Sequence, residues 1–262
     1  MISVIVFCWD SIAGICMTIL GGRRPTKCVV LYYHVVGRDE RVRFARQLDE
    51  IFRLAKPIWA DKPDMIGDGP HYAAITFDDG YRSFREYALP ELVERNIPSH
   101  LLVPSGCMGN PPNWLPEDDP ERRREVVMTT DELRVLDSRF VAIGSHCVSH
   151  RDLTTLGDEE VTQEIVASKR ALEEAMKHEV PTISFPHGFY RESHIAQAKQ
   201  AGYKRVFTIS SALAYKTGDE YVVDRVRVDP ADWLLELRLK TLGCYRWMAV
   251  ASRLLRWCER HC

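Results

Sequence analysis

Neither an excess of basic residues nor a cysteine framework marks this chain. Thirty-five Lys and Arg stand against 37 Asp and Glu, a net charge of −2, so no global positive field draws it to nucleic acid. The eight cysteines, at 8, 16, 28, 107, 147, 244, 258 and 262, form no Cys-x-x-Cys pair, which leaves no zinc-ribbon framework. A chain of this length needs no disulfides for its core, and most of the thiols read as reduced small hydrophobes, which favours a reducing compartment. Also missing is any Lys or Arg ahead of the apolar run Ile2 to Leu20; Asp10 interrupts the run, and Arg23-Arg24 follow it. A secretory signal carries its positive charge first. The segment 1–24 therefore reads as membrane-associated, either spanning with the body on the cytoplasmic side or lying as a buried or surface helix. The expected location is membrane-associated or cytoplasmic rather than freely secreted. What remains, 45% hydrophobic and 27% charged, suits one sizeable α/β domain.

The chain is organised around Ala73-Ala74-Ile75-Thr76-Phe77-Asp78-Asp79-Gly80, an apolar β-prone run that ends in two carboxylates and a glycine. Two adjacent carboxylates resist ionising together unless a cation sits beside them. The pair therefore asks for a metal, although an N-cap with an acidic first turn would read the same way. A second stretch, Val141-Ala142-Ile143-Gly144-Ser145-His146, is another short strand with a polar tip, continuing Cys147-Val148-Ser149-His150. On a helical turn, two histidines four apart share one face and reach one metal. Together the two tips make a two-His, one-carboxylate site with a spare acid, which is what a metal-assisted hydrolase needs as its base. Cys147, between the histidines, is a stray ligand or a packing residue.

Thr76-Phe77-Asp78-Asp79-Gly80 and Ser145-His146-Cys147-Val148-Ser149-His150 resemble the first two motifs of the polysaccharide deacetylases, the NodB-homology group of carbohydrate esterase family 4, over about Val29 to Asp229. The resemblance implies a distorted (β/α)7-type barrel with its site at the C-terminal rim. It implies Asp79, His146 and His150 as ligands of a divalent metal, Zn²⁺ being the natural choice and Co²⁺, Ni²⁺ or Mn²⁺ alternatives, and Asp78 as general base. The family's late Leu-x-His motif has no counterpart, since only His261 follows His194. Cys28-Val29-Val30-Leu31-Tyr32-Tyr33-His34 instead resembles the members that begin with a Tyr-His strand, which makes His34 the candidate general acid. Thr182-Ile183-Ser184-Phe185-Pro186-His187-Gly188 resembles the third motif. Pro186, His187 and Gly188 would there line the groove, a backbone N–H in the loop would hold the oxyanion, and His187 is a second acid candidate. Asp224-Arg225-Val226-Arg227-Val228-Asp229 resembles the fourth motif region, where a charged residue orients the catalytic Asp; Asp224, Arg225 and Arg227 all remain open, and Arg225 is also a candidate substrate contact.

The rest alternates strand and helix, as a parallel α/β barrel does. Helical periodicity covers Arg41 to Leu54, Tyr81 to Glu94 with Pro90 inside it, Asp131 to Asp137 capped by Thr130, Thr155 to His178, and Glu192 to Ala201. Ser105 to Val127 is a long excursion in which Gly109 to Pro116 cannot be regular and Glu117 to Glu125 is helix-capable. Its Trp114 is a platform for a sugar ring or a simple anchor. Trp233 to Cys262 reads as a basic amphipathic helical tail, docked on the barrel or lying on a bilayer. Three segments result: 1–24, the catalytic domain 25–230, and the tail 231–262. The expected activity is removal of an N-acetyl or N-formyl group from an amino sugar in a polysaccharide or glycan precursor, such as an exopolysaccharide of the cell envelope. The expected partners are an N-acylated carbohydrate and a membrane surface. A lipid-linked sugar is the alternative substrate, and a non-catalytic carbohydrate-binding barrel the alternative class.

Overall fold

Eight short apolar runs pair side by side, each parallel to its neighbours. The computed structural model describes residues 2–19, 26–68, 71–115 and 124–251, with backbone only for 12–19. Its strands are β1 (Cys28–Tyr33), β2 (Ala55–Pro57), β3 (His71–Phe77), β4 (Ser99–Val103), β5 (Val141–Ser145), β6 (Thr182–Ser184), β7 (Arg205–Thr208) and β8 (Val222–Arg227). The order β1-β8-β7-β6-β5-β4-β3 closes on itself, because β3 also pairs with β1 from Cys28↔Tyr72 to Tyr33↔Phe77. β2 sits beside the first residues of β3, on the flank that β4 joins only from Ile75 onward. The architecture is a seven-stranded parallel barrel with surrounding helices, the (β/α)7-type barrel expected. Its distortion shows between β5 and β6, which share one registered pair, Ser145↔Ile183.

Side chains alternate between two cores. Val30, Ala74, Leu102, Phe207 and Val223 fill the barrel interior, while Leu31, Tyr33, Ile75, Phe77 and Val103 face outward into the helical layer. The helices are α1 (Ile2–Ile19), α2 (Arg41–Leu54), α3 (Leu89–Glu94), α4 (Thr130–Arg134), α5 (Asp158–Met176), α6 (Glu192–Gln200) and α7 (Leu234–Thr241). Gly144 is required in β5: a Cβ there would stand 2.4 Å from both Leu102 Cδ1 and Thr182 Oγ1.

Several local expectations are corrected. The helix through Pro90 survives by widening, with a π turn over Phe84–Ala88 just before α3. Proline lacks the N–H that an α-helical bond would need, and its ring crowds the preceding turn. α4 is capped by Thr129, not Thr130, because Glu132 completes a capping box: Thr129 Oγ1 accepts from Glu132 N at 3.3 Å, and Glu132 Oε2 accepts from Thr129 N at 2.8 Å. The tail is not one helix. α7 ends at Thr241, and Gly243 turns the chain at φ +69°.

Pro116, most of the run Glu117 to Glu125, Arg23-Arg24, His261 and the tail from Ser252 onward lie outside the described residues. Among the described residues no helix is long and apolar enough to cross a membrane.

Candidate active site and metal centre

The interior phase of the strands carries the chemistry to the rim. Asp78 follows Thr76 and Ala74, His146 follows Gly144, and His34 follows Tyr32 and Val30, each two residues beyond an inward-facing neighbour. The β1–β3 pairing continues past the strand ends, with Asp78 N donating to Tyr33 O at 3.0 Å, so His34 stands beside the Asp pair. Asp79 would point outward by the same rule. Instead it adopts φ +70°, followed by Gly80 at φ +66°, and swings onto the inner side.

Cys147, His150 and His187 share that left-handed backbone, so half of the eight non-glycine positive-φ residues among the described residues lie at this rim. Strain of this kind persists where surrounding bonds over-determine it. Here Glu164 of α5 accepts from Val148 N at 2.8 Å, Ser149 N at 2.9 Å and Ser149 Oγ at 2.5 Å. Ser168 Oγ donates to Cys147 O at 2.8 Å. The two histidines therefore meet through a pinned loop rather than on a helical turn, which corrects the expectation. Cys147 itself is buried among Leu153, Leu156 and Val161, and burial pushes its thiol well above the usual range. It is a packing residue.

Asp79, His146 and His150 are all buried and offer ligand atoms within 4.8 Å of one another. Asp79 Oδ1 lies 3.1 Å from His150 Nε2 and 3.6 Å from His146 Nε2. Two ligands of one tetrahedral ion at zinc-like bond lengths stand about 3.3 Å apart, which these distances bracket. Asp79 Oδ1 is buried without a directed hydrogen-bond donor, the state of an oxygen that awaits a cation. His146 Nδ1 lies 3.0 Å from Ser184 O and 2.7 Å from Ser184 Oγ. An N–H at Nδ1 donated to that carbonyl leaves the Nε2 lone pair facing Asp79. Burial, outweighing the attraction of Asp78, brings His146 down to about 4, so its ring is neutral at pH 7. The donor set fits a divalent metal.

Charge at the site divides unequally. Arg225 on β8 is 1% exposed and grips Asp78 with both prongs, Nη1 to Oδ1 at 2.7 Å and Nη2 to Oδ2 at 2.9 Å. It also donates to Thr76 Oγ1 at 3.0 Å and lies over the Tyr32 ring. Burial alone would raise the Asp78 carboxyl, but Arg225, with His146 and His34, holds it below the usual carboxylate range. Asp79 has no such partner. Burial opposes its ionisation, yet the surrounding imidazoles, His150 first, hold it well below the usual carboxylate range. Of the three charged candidates on β8, Arg225 is the one that bonds to Asp78. It lies buried under that carboxylate, with almost no exposed surface to offer a substrate. Asp224 is turned to Thr208 Oγ1, and Arg227 is exposed.

Trp114 lies flat on His150, ring centroids 4.1 Å apart, with Tyr81 beyond it at 6.4 Å. One face of the indole therefore braces the His150 ring. Pro186 is buried, and His187 packs edge-on against His150 at 4.8 Å. The amides of Gly188 and Phe189 donate within the turn, to Phe185 O at 3.0 Å and Pro186 O at 3.4 Å. Sequence reasoning missed Glu164, Ser184 and Phe189. The last is 56% exposed and stacked on His187, and its place just past Pro-x-Gly was the available signal.

Comparison with known proteins agrees with this geometry. The family model "Polysaccharide deacetylase" matches residues 67–206. A Bacillus subtilis (strain 168) protein, YxkH, which carries the name of a polysaccharide deacetylase, is 24% identical over 218 residues, 79% of this chain and 73% of its own. Among solved structures, the Streptococcus pyogenes deacetylase PplD in complex with acetate superposes with a TM-score of 0.68 at 19% identity, covering 83% of this chain and 99% of that one. IcaB from Ammonifex degensii does so with 0.67 at 22% identity, covering 82% and 98%.

Proposed function

The chain belongs to the polysaccharide deacetylase family and is a carbohydrate deacetylase, and from that premise we propose a metal-dependent hydrolase that removes the N-acetyl or N-formyl group of an amino sugar in a glycan. The observation that carries the reading is a buried Asp-His-His set beside a second carboxylate already neutralised by arginine. Asp79, His146 and His150 would hold the ion, with Zn²⁺ the best match to two imidazoles and a carboxylate. When bound, the ion polarises the acyl carbonyl and lowers the pKa of water beside it.

The chain's own groups do the rest. Arg225 keeps Asp78 ionised and fixed in rotation, so its carboxylate is ready to take a proton from the attacking water. Water adds to the acyl carbon, and the C–N bond then breaks. His34, on the opposite side of the Asp pair, donates the proton that lets nitrogen leave as the amine. The products are a carboxylic acid and a free amino sugar. His187 and Phe189 form an exposed wall beside the ligands, where a sugar ring can stack, and Trp114 holds His150 from behind.

The test is acyl release from a panel of N-acetylated oligosaccharides, with added Zn²⁺, with chelator, and with Asp78→Asn. Release should need the metal, and Asp78→Asn should lose about 10²-fold or more while retaining bound Zn²⁺. His146→Ala should lose metal and turnover together. Full activity in His146→Ala would sink the metal assignment, and unchanged turnover in His34→Ala would remove His34 as the acid.

A further inference from the structure

Helix α1 is amphipathic the wrong way round for a helix between protein and water. Among its described side chains Ser3 is buried and Asp10 half-buried against the body, whereas Ile2, Val4, Ile5, Phe7 and Trp9 face outward, Ile5 60% and Trp9 71% exposed. A soluble surface helix turns its apolar stripe to the core. Here the polar side chains do the docking. Asp10 accepts from Arg246 Nη2 at 2.6 Å and Nη1 at 2.8 Å and from Lys27 Nζ at 2.6 Å, and Ser3 Oγ accepts from Trp247 Nε1 at 2.9 Å.

Charge says what the outer face meets. Residues 1–27 and 242–262 together carry seven Lys or Arg against two Asp or Glu, a net +5, which leaves −7 on residues 28–241. An apolar protein partner has no use for that separation, whereas an anionic lipid surface attracts the basic ends and accepts the apolar face. We propose that α1 lies on an anionic bilayer, its Ile2 to Trp9 face at the headgroup–acyl boundary.

The same anchor orients the barrel. Lys27 directly precedes β1, so Asp10 marks the N-terminal end of the strands, while His34, Asp78, Asp79 and His146 stand at the opposite end. The six residues of β1 at about 3.3 Å each span about 20 Å. The catalytic rim is thus turned to the water, about a strand length from the anchored helix. The consequence for substrate rests on the deacetylase reading: the amide comes from a glycan that reaches the rim from the aqueous side, not from a sugar still attached to lipid in the same leaflet.

Vesicle flotation tests the docking without any catalysis. The full chain should float with phosphatidylcholine vesicles containing about one-third phosphatidylglycerol, weakly with phosphatidylcholine alone, and less in high salt. The double variant Ile5→Glu/Trp9→Glu, at exposed positions, should lose roughly tenfold or more of that binding while keeping its deacetylase activity on soluble oligosaccharide. Brominated lipid should quench wild-type tryptophan fluorescence more than that of Trp9→Phe. Three results would overturn the proposal. One is no flotation on anionic vesicles. Another is a concentration-dependent dimer that the double variant abolishes, since a second copy would then cover the face. The third is flotation lost in Trp233→Glu/Leu235→Glu but kept in the α1 variant, since the rim would then face the bilayer. Loss of deacetylation with flotation intact would strike the catalytic reading alone.

Discussion

Arg225 shows how one residue changes the meaning of two others. The Asp78-Asp79 pair reads in sequence as a single demand for a metal. In the barrel the demand splits: Arg225 neutralises Asp78, and Asp79 alone is left to a cation. Arg225→Ala would strand a buried carboxylate, and urea unfolding should show a loss of about 3–5 kcal/mol. Adding Asp78→Asn to that variant should recover part of the loss, since the orphaned charge is then gone. Glu164 acts one layer further out. It touches no ligand atom, yet it accepts the two amides and the hydroxyl that shape the loop between His146 and His150. Glu164→Ala should weaken Zn²⁺ affinity by roughly 10–100-fold in a chelator competition, with Glu164→Gln recovering much of it by keeping an acceptor oxygen in place.

At the scale of elements, the rim is held by ties between neighbouring helices and strand ends. α2 is tied to the segment after β8 through Gln47, which donates to Asp229 O at 2.9 Å, and to α7 through Glu50, which accepts from Arg238 Nε at 2.5 Å and, within α2, from Arg53. Arg53, against a smaller burial penalty, and then Arg238 bring the Glu50 carboxyl down to about 2. A carboxyl depressed on folding stabilises above its unfolded value, near 4.5, and loses that contribution as pH falls through about 2. Hydrogen exchange in α7 should therefore speed up as pH drops from about 4.5 to about 2, beyond the intrinsic change in rate. Glu50→Gln should show loosened α7 amides already at pH 7 and no further step in that window. A wild-type α7 unaffected across this range would mean that the tie contributes nothing.

For the whole molecule, the proposed metal ligands matter because they join separate parts of the barrel wall. Asp79 follows β3, and His146 and His150 follow β5, with β4 between them. An ion bound there bridges two strand ends in the native state only, so it stabilises by mass action. At a free metal concentration about 100 times Kd the gain is about 2.7 kcal/mol, which for a chain of this size raises Tm by roughly 5–10 °C. Calorimetry with and without chelator checks this, and Asp79→Ala should erase the difference. The barrel also separates two tasks by its length, chemistry at the C-terminal ends of the strands and the α1 anchor at their starts.

Much of this was legible in the residues themselves. Short apolar β-prone runs that end in polar tips, separated by stretches of helical periodicity, point to a parallel α/β barrel. The same runs place Asp78, His146 and His34 at strand tips, whereas their inward phase was decided by tertiary packing, because both faces of these strands are apolar. The Phe-Asp-Asp-Gly and His-x-x-x-His stretches mark the candidate metal set, because each stands at the end of an apolar run. Tertiary structure alone decided the rest, since it depends on which distant segments come together. Asp224, Arg225 and Arg227 are interchangeable in sequence until barrel closure brings β8 against β1 and sends one guanidinium under Asp78. The histidine pair meets through a strained loop because α5 supplies Glu164 and Ser168 to hold it. Thr129 replaces Thr130 as a cap because Glu132 lies three residues on. And the apolar α1 acquires a direction only when Asp10 finds Arg246, 236 residues away in the chain, and leaves the helix's greasy side facing out.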